Sequence, residues 1–257
     1  MLFRWIGLLS VTAVCAANAT LDFQVALEPF KDNTIFSDQA AVTELSNGAG
    51  DFLFAGNTAN GIDVTRRALL AFDLTGIPAN AVITDAQIRL RSTREAVSTV
   101  ASDFSLSRIT ADWGEGSSDA TGQEGRGAAA TTGDATWQHQ FFDQAFWSVV
   151  GGDFVTTPSA IVRIDGLGFY TFSGQGLIDD VQQFVDDPAT NFGWILRGDE
   201  TREFTARQFG SRNDPDTGPR LSISYSVIPE PDIGVLLILG GGVLLCLRWR
   251  SRILRGA

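Results

Sequence analysis

The segment Leu221-Ser222-Ile223-Ser224-Tyr225-Ser226-Val227 places an apolar side chain at every second position, with serines between. Successive side chains of a strand point to opposite faces, so this spacing builds a strand with one dry face and one wet face. Residues 86–91 repeat it, with Ala86, Ile88 and Leu90 on one face and Gln87, Arg89 and Arg91 on the other. Residues 104–109 follow suit, with a slip near Arg108. Such alternation marks antiparallel sheets. The run 68–73 is a compact apolar strand, closed by the turn Gly76-Ile77-Pro78-Ala79-Asn80. Further strands are expected at 21–27, 52–55, 160–164, 169–172, 192–197 and 204–209. One stretch breaks the period. Leu177, Ile178, Val181, Phe184 and Val185 recur at helical spacing within 176–187, and Pro188 stops the helix. Many strands with one short helix predict an all-β fold, an antiparallel jelly-roll-like β-sandwich forming a single domain over 20–227.

The two ends are of another kind. Arg4 precedes an apolar stretch from Trp5 to Cys15, and Ala17-Asn18-Ala19 supplies the small residues of a cleavage site. This predicts a secretory signal peptide over 1–19, cut after Ala19, so that the mature chain begins at Thr20. Val14, ahead of Cys15, is too large for a lipoprotein signal. At the far end Pro229-Glu230-Pro231 leads into an apolar run, about 233–247, followed by Arg248, Trp249, Arg250, Arg252 and Arg255. Clustered arginines stay on the cytoplasmic side, which predicts a transmembrane helix with everything before Pro229 outside. Fifteen residues of helix reach ~22 Å, short of a hydrocarbon core of about 30 Å. Gly240-Gly241-Gly242 weakens the helix further, by roughly 1 kcal/mol per glycine. A span this short suits a transient retention signal; a plain tail anchor is the alternative. The tail 228–257 resembles the bacterial PEP-CTERM sorting signal in its Pro-Glu-Pro triplet, its Leu/Val/Gly helix and its arginines. The resemblance implies export across the inner membrane of a Gram-negative-type bacterium. It also implies an exosortase-type membrane transpeptidase as processing partner, and exopolysaccharide as company.

Setting these signals aside changes the composition. Of 19 Lys+Arg, one lies in the leader and four in the tail; of 30 Asp+Glu, Glu230 and Asp232 lie in the tail. The exported body is therefore near −14, with Lys31 its single lysine. Cys15 and Cys246 both fall in the terminal segments, so no disulfide staples the body and it must stand on its own core. Such acidity argues against nucleic acid as a partner.

The order of pieces in the body is informative. Arg67-Ala-Leu-Leu-Ala-Phe-Asp-Leu-Thr-Gly-Ile-Pro78 precedes Val82-Ile-Thr-Asp-Ala-Gln-Ile-Arg-Leu90. Then come Asp112-Trp-Gly-Glu-Gly116, Gly133-Asp-Ala-Thr-Trp137, Asn191-Phe-Gly-Trp-Ile-Leu196 and Phe209-Gly-Ser-Arg212. Together with Pro219-Arg-Leu-Ser-Ile223 these resemble the DNRLRE-type bacterial β-sandwich domain over most of 21–227. Asn213 departs from the pattern, which has an acidic residue after Ser211-Arg212. The resemblance implies a secreted or surface jelly-roll-like sandwich, with some members binding acidic polysaccharides, and no catalytic activity.

The residues themselves offer little to catalysis. His139 is the single histidine and the body has no thiolate, so a zinc set cannot be assembled; with no Gly-x-Ser-x-Gly elbow, a nucleophilic triad would have to use His139, for which packing among the neighbouring aromatics is the favoured role and catalysis the alternative. Gly125-Arg-Gly-Ala-Ala-Ala130 lies in an acidic loop without a βα context and is no dinucleotide site. The longest irregular stretch runs between Trp113 and Trp137 and carries Glu115, Asp119 and Glu124, which with Asp112 just before it offer hard oxygen ligands for calcium, as do Asp214 and Asp216. Solvated loop charge and a general acid/base pair for glycoside hydrolysis are the alternatives. Trp113, Trp137 and Trp147 are candidate stacking platforms for sugars, with core packing the competing role and the expected role for Trp194. Arg66, Arg67, Arg89, Arg91 and Arg94 form the local basic concentration. Alternation puts Arg89 and Arg91 outward, where guanidinium forks can pair acidic sugars or neutralise neighbouring carboxylates. The expectation is a non-catalytic exported protein contacting extracellular polysaccharide. A purely structural surface or matrix protein and a polysaccharide-cleaving enzyme are its rivals.

Overall fold

The computed structural model describes residues 20–37, 44–58, 64–96 and 99–228. The leader with Ala17 and Ala19, and the tail with Pro229, Glu230, Pro231, Arg248, Arg250 and Arg252, lie outside the described residues. Among the described residues no helix is long and apolar enough to cross a membrane.

The chain opens with β1 (Leu21–Leu27), β2 (Pro29–Phe36), β3 (Leu45–Ser46), β4 (Phe52–Asn57) and β5 (Thr65–Phe72). The long β6 (Ala81–Glu95) and β7 (Ser102–Arg108) follow, then the short pieces β8 (Ala128–Ala129), β9 (His139–Phe141) and β10 (Ala145–Phe146). After β11 (Ala160–Ile164) and β12 (Gly168–Ser173) comes helix α1 (Gln175–Asp186) with a 3₁₀ turn at Pro188–Thr190. Strands β13 (Trp194–Arg197), β14 (Arg207–Gly210) and β15 (Arg220–Val227) complete it. Residues Asp22–Ser226 form one compact unit. The fold is all-β with one helix, as the alternation predicts.

Eleven strands make one curled sheet in the order β1-β15-β6-β14-β4-β5-β13-β7-β11, with β12 added to β6 and β2 to β5. Strand β4 belongs to both halves: residues Phe52 to Ala55 pair with β14, and Gly56 and Asn57 pair with β5. The handover falls at Gly56, whose φ of 102° is open to glycine and strained for other residues. A Cβ there would also meet the Thr205 backbone at 2.8 Å. The curl brings the halves face to face, with Phe104 of β7 edge-on to Phe209 of β14, centroids 5.7 Å apart.

Strand β5 explains the compact apolar run. Ala68, Leu69, Leu70, Ala71 and Phe72 are all fully buried, so both faces of this strand are covered. Trp194, beside it on β13, meets Phe72 and also Phe184 of α1, at 6.2 and 5.2 Å. The other face carries Leu69, Ala71 and Ile195 into a second cluster with Ile35, Ile109, Trp113, Ala135 and Trp147. The long irregular stretch supplies much of that cluster. It is an ordered layer laid over the outside of the sheet.

Helix α1 closes one end of the core with Leu177, Val181, Phe184 and Val185. Gln182 ties it to β6, donating to the Ala81 carbonyl and accepting from Ile83 N–H. Asp180 accepts from Ser159 Oγ, Trp194 Nε1 and Arg108 Nε. Burial pushes its carboxyl up, and these three donors oppose the shift. Asp180→Ala strands three polar groups in a half-dry site and is expected to cost about 3 kcal/mol in urea unfolding.

Candidate functional site

The outer face of β6 and β12 carries the most exposed constellation that combines charge with an aromatic ring. Register pairs Arg91 with Phe169, Arg89 with Thr171 and Gln87 with Ser173, so these six side chains share one face. Ile88 and Leu90 between them are buried, confirming the outward direction read from the alternation. Phe169 is 52% exposed although it is a phenylalanine in a strand. The Arg89 and Arg91 guanidinium carbons lie 4.6 and 5.3 Å from its ring centroid, Arg91 from the position directly opposite and Arg89 from the diagonal one. Arg91 also lines an open cavity of about 440 Å³ with Phe52, Thr93, Leu167, Asp214 and Thr217. Exposed cationic forks around an aromatic plate can pair carboxylates and stack an apolar ring face at once.

The other arginines of the basic stretch go elsewhere. Arg67 forks onto Glu200 with two bonds of 2.7 Å, donates to the Gly151 carbonyl and covers Trp137 at 4.5 Å. Arg66 is buried, donating to the Gly125 carbonyl. Arg94 reaches Gln123. Only Arg89 and Arg91 of the five combine with an exposed ring.

The tryptophan platforms require correction. Trp113 is 1% exposed and Trp147 is 5% exposed. Their indole N–H groups donate to the carbonyls of Phe192 and Thr136. Rings so satisfied are core rings. Trp137 is half-buried under Arg67, and Trp194 is in the core as expected. Phe169, which sequence reading placed in a strand and gave no role, takes the place of the tryptophans. The signal that could have found it is the alternation of residues 169–173, which turns Phe169 outward with Thr171 and Ser173.

The proposed calcium ligands are not brought together either: among the described residues no group of three or more His, Cys, Asp or Glu converges. Asp112 pairs with Lys31 at 2.7 Å and caps Trp113 N–H. Glu115 is held by the Arg212 guanidinium and accepts from Asp32 N–H. Glu124 accepts from Asn47 Nδ2 and from Asp51 and Phe52 N–H, while Asp119 stands exposed. Loop N–H groups and cations occupy the oxygens of three of the four. His139 is buried, bonded through Nδ1 to Thr136 Oγ1 at 3.0 Å and stacked near Phe146.

What sequence reading missed is a buried polar hub in the middle of β2. Asn33 donates to Ser46 Oγ and the Glu115 carbonyl and accepts from Thr34 and Asn47 N–H. Asn47 extends it, donating to Glu124 and accepting from Ala120 N–H. Gly48 sits so close that a Cβ would lie 1.8 Å from the Glu115 carbonyl oxygen. Beside the hub Asp32 is 1% exposed, accepts from Arg212 N–H at 2.7 Å, and leaves Oδ1 without a donor. Burial pushes its carboxyl up to about 7, against the Arg212 N–H, and the Glu115 charge adds to the rise. The one hint in sequence was the polar run Asp32-Asn33-Thr34 between Phe30 and Ile35.

In comparison with known proteins, the sequence matches no family model and no curated protein.

Proposed function

We propose that this chain is an exported, non-catalytic surface or matrix protein whose β6–β12 face binds acidic extracellular polysaccharide. The single observation that carries the reading is the exposed Phe169 of β12, with the Arg89 and Arg91 guanidinium groups of β6 both within 5.3 Å of its ring centroid on the same sheet face. In a body near −14, two outward arginines around an aromatic plate favour an anionic, ring-shaped ligand. The curled all-β fold is compatible with the jelly-roll-like sandwich of the DNRLRE resemblance. The tail resemblance supports delivery by an exosortase-type system, with the membrane as partner through the C-terminal helix until processing. The commitment of Asp112, Glu115 and Glu124 to loop bonds supports a non-catalytic role.

Affinity electrophoresis of the full chain in acidic and neutral polysaccharide gels tests this. Retardation is expected in the acidic gels alone, weakening as salt rises. Arg89→Ala with Arg91→Ala should lower the affinity about tenfold or more, and Phe169→Ala several-fold. Equal mobility of all variants in every gel would remove the proposal.

A second reading has its own observation. Phe146 at the end of β10 and Val149 and Val150 in the turn after it are 66, 66 and 59% exposed, and Asp153 ties that turn by accepting from Ser148 and Val149 N–H. An ordered apolar tip favours a structural protein that associates through it.

A further inference from the structure

An open cavity lined by residues other than those of the arginine face serves no role so far. It holds about 720 Å³, within the usual range for small-molecule sites, between the β5–β6 turn and the end of α1. Its floor is apolar: Leu74, Ile77, Phe184 and Val185 line it and are each at most 7% exposed. Phe30, 48% exposed, and Pro78 and Pro188 form its walls.

The charge lining this cavity is negative, while Lys31, against the Phe30 wall, is held by Asp112. Asp73 is the one charged side chain among its described lining residues. The Thr75 backbone N–H, 2.9 Å from Asp73 Oδ1, holds that carboxyl below the usual range, so it stays anionic. Helix α1 ends at the cavity, and a helix C-terminus carries partial negative charge that basic side chains normally offset. This helix has no basic residue in its last turn, and ends in Asp186 and Asp187. An apolar floor rimmed by a carboxylate and an uncompensated helix C-terminus complements a positive charge on an apolar body, and repels an anion.

We propose that this cavity is a binding site for a small amphipathic cation, an ammonium or guanidinium group carried on an aromatic or aliphatic body. The body covers Leu74, Ile77 and Val185, and the cation faces Asp73 and the end of α1. The site is independent of the polysaccharide reading and opposite to it in charge preference.

Three matched probes test it by ligand-observed NMR titration of the full chain in neutral detergent, with micelles alone as reference: phenethylamine, phenethyl alcohol and phenylacetate. The amine is expected to bind with a dissociation constant of about 1 mM, in keeping with its small size. The alcohol should bind roughly three- to tenfold more weakly, since an exposed ion pair contributes little, and phenylacetate should show no saturable binding. Asp73→Asn should bring the amine down toward the alcohol. Ala79→Trp, at an exposed lining position, should fill the cavity and abolish binding of both while the melting temperature holds; Thr75→Trp serves if that variant does not fold. Equal affinity for the three probes, no saturation by the amine, or amine binding that survives the filled cavity would each overturn the assignment.

Discussion

Asn33→Leu is expected to lower the unfolding free energy of the full chain by about 4 kcal/mol, a large share of the roughly 5–15 kcal/mol available to a domain. The side chains are similar in size, so the loss comes from polar groups and not from a cavity. Asn33 is fully buried and serves Ser46 Oγ, the Glu115 carbonyl and the N–H groups of Thr34 and Asn47. Leucine leaves these groups in a dry site at about 1–3 kcal/mol each, partly recovered by relaxation. The damage should spread, because the hub joins β2 to β3 and to the layer that covers β5. Urea unfolding followed by tryptophan fluorescence reads it directly, since Trp113 lies in that layer. A change under 1 kcal/mol would mean that water reaches these groups.

The second large effect is a dependence on pH with an unusual sign. Asp32 has a folded-state pKa of about 7 against an ordinary 3.8. Between those values the folded state binds more protons than the unfolded one, so stability falls as pH rises. The contribution is fully present below about pH 4 and lost by about pH 7, a few kcal/mol in total. Carboxyls held below their ordinary range by hydrogen bonds, Asp199 and Asp214 among them, act in the opposite sense, so the quantity to measure is wild type minus Asp32→Asn. That difference should be near zero at pH 4 and turn against the wild type by about 3 kcal/mol at pH 8. The charges facing Asp32 are Glu115 and Arg212, with Lys31 on its own strand held by Asp112. A flat difference across the range would mean that Asp32 is ionised in the folded protein throughout.

Much of the fold was legible because strand patterning is local. Residues 160–164 match β11, and 21–27 match β1. Helix α1 runs Gln175–Asp186, one residue earlier than its apolar spacing indicates. The strand expected at 204–209 begins instead at Arg207, because Phe204 has a positive φ of 61° and belongs to the turn before it. Strand β2 escaped because its middle is polar and buried, the reverse of what alternation detects. The arginine half of the candidate site was legible for the same local reason, since Arg89 and Arg91 alternate with buried Ile88 and Leu90. Its aromatic half was not. Aromatic composition points to tryptophan, yet an indole with a carbonyl in reach of its N–H is as well placed in a core as at a surface.

By itself, then, the sequence determined the all-β class, the phase of the alternating strands and helix α1 of the described residues, because these depend on neighbours a few residues apart. Tertiary structure alone decided that Phe169 stands opposite Arg91, that Asn33 meets Glu115 and that Trp113 turns inward. Those outcomes rest on strand register and loop closure across roughly 80 residues of chain, where many pairings satisfy the same local pattern and only the packed whole selects one.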